Sequence, residues 1–345
     1  MQSTRKKIRV LVVDDSLLAR KVIMNGLSSY PSFEIAGYAI NAIDAQNKVN
    51  QLNPDVMVCD VQMPGMTGID LVKKLLPEHP IPVVLVSSLS LGVFDTLHAG
   101  AIDFVRKPDG TQSMDAFVSA LAQKVEVAAH AKVRRPVSSS VPASSAPALG
   151  SSAIGQAIIG LGASTGGTEA TLEVLRRLPE DIPGMVIVQH MPPGFTKMYA
   201  DRLDRLCKME VREAKDGDEI KRGLVLVAPA DFQCRVARTP VGGYCVRCTK
   251  EEKISGHRPS VDALFSSIAE TVRCRIVGII LTGMGRDGAS GLLEMRKKGA
   301  FTIGQDKESS VVYGMPGVAY DIGAVMAQAS CETIAGILLQ HLKIT

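Results

Sequence analysis

Short apolar runs alternate with amphipathic stretches along residues 8–127. The strand-like runs are IRVLVV, FEIAGYA, DVMVC, PVVLVS and DFVRK; between them lie stretches such as LLARKVIMNGLSSY and IDLVKKLLPEH, whose apolar positions recur at helical spacing. Strands alternating with helices predict a parallel sheet with helices on both faces. Residues 128–152, AAHAKVRRPVSSSVPASSAPALGSS, break the pattern. Rich in Ser, Ala and Pro and without apolar periodicity, they read as a flexible linker with some polyproline stiffness. Alternation resumes over residues 153–345, with AIIGLG, MVIVQH, LVLVAP, CRIVGIILTG and AFTIG as strands and TEATLEVLRRL and SVDALFSSIAETV as helices. This predicts a second, larger α/β domain with a mostly parallel sheet and a hairpin near 232–249.

Composition narrows the classes. The chain has 345 residues, 46% hydrophobic and 21% charged, with a net charge of +4. Both domains can bury a core, and neither is strongly basic, which argues against nucleic acid as a partner. No apolar run approaches the length of a membrane span, so direct membrane insertion is not expected. The first apolar run ends in Asp14-Asp15, which a signal-peptide core would not tolerate, and a cytoplasmic location is the expectation. Seven cysteines without framework spacing fit reduced thiols. Cys245 and Cys248 form a C-x-x-C pair, but in a strand such positions face opposite ways.

Five residues of the first domain fall at strand ends. Asp14 and Asp15 follow the first strand, Asp60 ends the third, Ser87 ends the fourth, and Lys107 follows the fifth. In a parallel sheet all five converge at the carboxyl edge, where such folds place their sites. Three carboxylates repel one another there unless a cation sits among them, and oxygen ligands beside a phosphate suit Mg²⁺. Lys107 and the Ser87 hydroxyl can then engage a phosphoryl group. Each Asp taken alone could simply cap a helix; capping does not explain four strand ends plus a lysine before Pro108. Through VVDDS, CDVQMPGMTG, VSS and DFVRKP, residues 8–127 resemble the response-regulator receiver family. The resemblance implies a flavodoxin-like receiver in which Asp60 accepts phosphate from a histidine kinase. It also implies that Asp14, Asp15, Asp60 and the Gln62 carbonyl hold Mg²⁺.

In the second domain AIIGLGASTGGTEATLEVLRRL reads as strand, tight turn and helix, and Gly162-Ala163-Ser164-Thr165-Gly166 fits G-x-S-x-G. Small residues let such a turn expose a serine hydroxyl, with the Thr165 N–H placed as an oxyanion donor. Ser164 needs a base. His190 ends the next apolar run, and Asp287 follows the strand-like GIILTG in a glycine-rich loop. The order Ser, His, Asp is unfamiliar, but triads are defined by role. A dinucleotide cradle fits less well: Gly160-x-Gly162-x-x-x-Gly166 is not the fingerprint, and the following strand ends in Gln189-His190 rather than an acid. His257 competes for the base. It lies just before a helix that Ser260 is placed to cap, and reads more naturally as a groove or structural residue.

GASTGG, VIVQHMPPGFT, GHRPSVDALF, ILTGMGRDG and VVYGMPG then make the second domain similar to the chemotaxis protein-glutamate methylesterase family, CheB. The resemblance implies catalysis by Ser164, His190 and Asp287, with the Met284 amide as second oxyanion donor and no cofactor for the ester reaction. Implied substrates are glutamate methyl esters, and glutamines for deamidation, on chemoreceptors, with a chemotaxis-type histidine kinase as second partner. The layout, a phosphoacceptor domain ahead of a catalytic domain on a flexible linker with both sites at sheet edges, leads to the expectation that the receiver restrains the esterase until phosphorylated. Family members commonly carry a His where Phe232-Gln233 stand, a departure expected to bear on receptor preference and not on the triad. Two rivals stand beside this reading: a receiver-linked transcription factor, whose compact basic helical output does not match residues 153–345, and an inactive receptor-binding scaffold.

Overall fold

The computed structural model describes residues 6–88, 92–110, 112–133 and 157–343. The chain divides into two compact units between Ser139 and Ser140. Most of the segment read as linker lies outside the described residues; its first residue, Ala128, is instead the last residue of a helix.

The first unit alternates strand and helix throughout. Its strands are β1 (Ile8–Val13), β2 (Phe33–Ala39), β3 (Val56–Asp60), β4 (Val83–Ser87) and β5 (Asp103–Arg106); its helices are α1 (Leu17–Ser28), α2 (Ala42–Leu52), α3 (Gly68–Leu75), α4 (Gly92–His98) and α5 (Met114–Ala128). Among the described residues the sheet is parallel, in the order β2-β1-β3-β4-β5. This is the flavodoxin-like order, whose switch point lies between β1 and β3. Both strands there are almost wholly buried, as their unbroken apolar runs require. Short polar side chains start the helices just beyond the strands. Ser16 caps α1, and Thr67 and Asp70 form a capping box on α3.

The second unit contains β6 (Ala157–Ala163), α6 (Gly167–Leu175), β7 (Gly184–Gln189), α7 (Phe195–Leu206), β8 (Glu210–Glu213), β9 (Leu224–Val227), β10 (Gln233–Arg238), β11 (Tyr244–Thr249), α8 (Val261–Thr271), β12 (Arg275–Ile280), α9 (Ala289–Lys297), β13 (Phe301–Gln305), α10 (Met315–Asp321), β14 (Ala327–Ala329) and α11 (Ile334–Lys343). Its main sheet is parallel, in the order β14-β13-β12-β6-β7-β9-β8. From β6 the chain proceeds to β7 on one side and later returns to β12 on the other, so the topological switch lies between β6 and β12. β10 and β11 form a separate antiparallel hairpin bonded to α8 through Val236 N–H and Ser267 Oγ (2.8 Å). The expected strands and the hairpin are all present. The outer strands β8 and β14 were not anticipated: EVRE and AQA are short edge strands with few buried positions, and carry no apolar run.

Within the hairpin Cys245 and Cys248 do not meet. Cys248 lies opposite Cys234, with the sulfurs 4.0 Å apart, and all the cysteines are free thiols. Close packing of β6 on α8 explains one glycine. A Cβ at Gly162 would lie 2.1 Å from Val261 Cγ1. Gly162→Ala should therefore cost about 1–3 kcal/mol by overpacking. Thermal unfolding of the intact chain measures this, and the loss should shrink when Val261→Ala is added. Strictly additive effects would place the strain elsewhere.

Candidate active and phosphoacceptor sites

In the first unit all five strand-end residues and Gln62 gather at one edge. Asp14 and Asp60 are buried while Asp15 is exposed, and one carboxylate oxygen from each lies within 4.8 Å of the others. Lys107 Nζ stands 2.6 Å from Asp60 Oδ2 and 2.9 Å from Asp14 Oδ2. The Gln62 N–H donates to Asp60 Oδ1 (3.2 Å), and Arg20 donates to the Asp14 carbonyl (2.6 Å). Ser87 is buried and donates to the Ser88 carbonyl (2.7 Å). Burial pushes the Asp60 carboxyl above its ordinary range; Lys107 opposes that push and Asp14 adds to it. Burial pulls Lys107 down, but its bonds to Asp60 and Asp14 outweigh this and hold it protonated. One ammonium thus pairs with two of the three clustered carboxylates. Clustered hard oxygen donors in excess of cationic charge fit a divalent cation such as Mg²⁺.

The second site is built around a turn pinned on every side. Ser164 N–H donates to the Thr282 carbonyl (3.0 Å), and the Ser164 carbonyl accepts from Gln189 Nε2 (2.8 Å) and Gly167 N–H (2.7 Å). Thr282 Oγ1 donates to the Thr165 carbonyl (3.0 Å). Gly166 completes the turn at φ +76°, where a Cβ would also meet Val311 Cβ at 2.6 Å. Ser164 and Thr165 are buried. A Cβ on Gly283 would lie 2.8 Å from that of Ser164, which places the Gly283-Met284 peptide beside the serine. The Met284 N–H has no protein acceptor among the described residues.

His190 follows β7, and its N–H donates to the Ala163 carbonyl (3.1 Å), holding it next to the serine turn. Its Nε2 meets Asp287 Oδ2 at 2.8 Å. Nδ1 is buried and without a partner among the described residues, and Ser164 Oγ likewise makes no hydrogen bond. Among the described residues no hydrogen bond joins Ser164 Oγ to His190, and Nδ1 is the ring nitrogen not engaged by Asp287.

Asp287 is almost fully buried and accepts three further hydrogen bonds: from Ser260 Oγ (2.7 Å), Val261 N–H (2.8 Å) and Asp262 N–H (3.1 Å). Burial alone would raise its carboxyl, but His190, Ser260 and Val261 outweigh burial and hold it down at about 2. Ser260 also caps α8, as expected. His257 stacks on His190 with ring centroids 3.9 Å apart and planes 6° apart. Stacked parallel rings aim their lone pairs along parallel planes, so His190 and His257 as arranged do not converge on one metal ion. Gln233, placed outside the triad by sequence reasoning, is fully buried and bonds directly to Ser260 N–H (2.9 Å). Gln189, Thr282 and Ser260 as holders of the site were also missed, because their partners are distant in sequence. A cavity of about 290 Å³, lined by Ala157, Gly184 and Cys274 among others, opens at the opposite, amino ends of β6 and β7 and takes no part in this site.

A sheet switch point carrying a serine turn, a histidine and a buried carboxylate, preceded by a receiver-like unit, defines a class of protein. Residues 159–338 match the CheB methylesterase family and residues 10–119 the response regulator receiver domain. A Syntrophomonas wolfei protein named protein-glutamate methylesterase/protein-glutamine glutaminase 2 is 49% identical over 327 residues, 94% of each chain. A Sulfurimonas denitrificans protein of the same name without the numeral is 47% identical, over 92% of this chain and 94% of that one. The Thermotoga maritima CheB methylesterase catalytic domain, 36% identical, superposes over its whole length and 55% of this chain, with a TM-score of 0.53. The chain belongs to the CheB methylesterase family, with a response regulator receiver domain ahead of the esterase domain.

The Asp287 environment has a consequence for acid stability. A carboxyl held at about 2 in the folded chain and near 3.9 in the unfolded one contributes about 2 kcal/mol. That contribution is complete above about pH 4 and is lost as pH falls through about 2. Urea unfolding at a series of pH values should show Asp287→Asn lacking this part of the acid-dependent loss; an equal acid slope in both proteins would remove Asp287 as its source.

Proposed function

We propose that this chain hydrolyses glutamate methyl esters on chemoreceptors and deamidates receptor glutamines, by a Ser164-His190-Asp287 triad restrained by the receiver until Asp60 is phosphorylated. The observation that supports the reading is the His190–Asp287 hydrogen bond at the carboxyl edge around the β6–β12 switch, beside the turn that carries Ser164. The names of the relatives supply the substrate class.

In this reading His190 Nδ1 takes the Ser164 proton as Oγ attacks the ester carbonyl carbon. Asp287 holds the ring through Nε2–H and stabilises the imidazolium. The Thr165 and Met284 N–H groups bind the oxyanion. His190 returns the proton to the departing methoxide, methanol leaves, and a water activated by the same nitrogen releases glutamate. A glutamine follows the same path with ammonia as leaving group. None of these steps calls on a cofactor.

In the receiver, Asp60 Oδ attacks a phosphoryl group carried by a histidine kinase. Asp14, Asp15, Asp60 and the Gln62 carbonyl would hold Mg²⁺, which when bound neutralises charge between carboxylates and phosphate. Lys107 and Ser87 would leave their present partners, Asp60, Asp14 and the Ser88 carbonyl, to engage the new phosphoryl oxygens. A cytoplasmic location is part of this proposal. Among the described residues no helix is long and apolar enough to cross a membrane.

Three measurements test the reading. In the first, methanol release from methylated receptor membranes should fall at least about 10³-fold in Ser164→Ala and comparably in His190→Ala, with little further loss in the double variant. An active His190→Ala beside a dead His257→Ala would move the base to His257. In the second, a chain beginning near residue 150 should outpace the intact unphosphorylated chain in the same assay, and phosphate should raise only the intact one. A lid closed about 99% of the time needs about 5.5 kcal/mol to become 99% open, so a smaller bias gives partial activation. Kinase-dependent labelling should vanish in Asp60→Asn. Equal unphosphorylated rates would sink the lid and leave the receiver a recruiting role.

A further inference from the structure

Gln233 is the first residue of β10, and its side chain is fully buried beside the esterase site. Its amide makes three hydrogen bonds to one loop. Nε2 donates to the carbonyls of Glu252 (3.0 Å) and His257 (3.1 Å), and Oε1 accepts from the Ser260 N–H (2.9 Å). That loop runs from β11 into α8, and everything that orients Asp287 apart from His190 comes from its end. The Ser260 hydroxyl, the Val261 N–H and the Asp262 N–H are three consecutive donors to one carboxylate. The same loop presents the His257 ring that stacks on His190. One amide therefore fixes both the stacking partner of the base and the first residue of the cradle that holds its carboxylate.

Few side chains could fill this place. The three partners require two donors and one acceptor from a group that stays uncharged in a buried position. A neutral imidazole supplies one donor and one acceptor and leaves a buried carbonyl unmet. A carboxylate lacks both donors and adds a charge. An unmet buried group is costly enough to let the loop move to find another partner. A displacement of about 1 Å in a supporting element can cost about 10²-fold in rate.

We propose that Gln233 is a positioning residue for the hydrolytic site, setting the 257–260 turn that orients Asp287 and, through it, His190. The proposal rests on the triad reading above. It predicts a loss confined to turnover, because Gln233 is buried and does not meet substrate.

The test uses the intact chain with methylated receptor membranes, with Ser164→Ala assayed in parallel. Gln233→Met is near in volume and removes all three bonds. It should lower kcat about 10- to 100-fold while KM stays within about twofold. The downfield proton resonance of the His190–Asp287 hydrogen bond should shift or broaden in the same variant, which a residue serving only fold stability would not cause in a protein shown to be folded by circular dichroism. Gln233→His, which keeps one donor and one acceptor, should fall between wild type and Gln233→Met, and it carries the test by the same readouts should Gln233→Met fail to fold. A folded Gln233→Met with wild-type kcat and an unchanged resonance overturns the proposal, as does a loss expressed only in KM. Continued methanol release by Ser164→Ala would instead overturn the triad reading; the resonance, which does not depend on the serine, still reports on Gln233.

Discussion

A single buried carboxylate organises the esterase domain. Asp287 is shut away from water, where an unpaired charge costs several kcal/mol, yet it receives four hydrogen bonds and stays ionised. Its donors come from two separate parts of the chain: His190, just after β7, and residues 260–262, where the cap of α8 runs into its first turn. Those parts can meet only if β12 lies beside β6 and α8 covers both. The close approaches of Gly162 and Gly288 to Val261 are the packing side of the same requirement. The fold brings the donors together, and the satisfied carboxylate makes their positions mutually dependent.

The two domains solve a common electrostatic problem differently. Parallel sheets gather functional side chains at their carboxyl edge, and in both domains that edge collects acids. In the receiver Asp14 and Asp60 share one lysine with Asp15 clustered beside them, leaving excess negative charge and a carboxyl that burial pushes upward. Such a site suits a cation and a group that binds one. In the esterase domain Asp287 is matched by oriented dipoles and one imidazole. Under the proposed function the first arrangement responds to phosphate and metal, and the second is preorganised, as stabilising a developing imidazolium requires.

Much of this was legible in the order of residues. Unbroken apolar runs marked the inner strands, since strands buried on both faces leave no polar position. Strand-end residues such as Asp60, Ser87, Ser164 and His190 could then be placed on one edge without knowing the sheet order. The edge strands β8 and β14 escaped, because half-exposed short strands resemble loops. The role of Gln233 escaped for another reason. As a departure from a family pattern it read as bearing on receptor preference and not on the triad, and nothing local to it indicates that its partners are Glu252, His257 and Ser260.

By itself the sequence determined the alternation of elements, the switch between two α/β units and the residue types present at each strand end, because these follow from periodicity and turn chemistry over short spans. Tertiary structure alone decided which nitrogen of His190 meets Asp287, that His257 stacks on the base without replacing it at that carboxylate, and that an amide on a distant hairpin holds the turn between them. Such contacts join residues tens of positions apart. They depend on the relative placement of whole elements, which is set by packing summed over the core and leaves no local mark on the residues that meet.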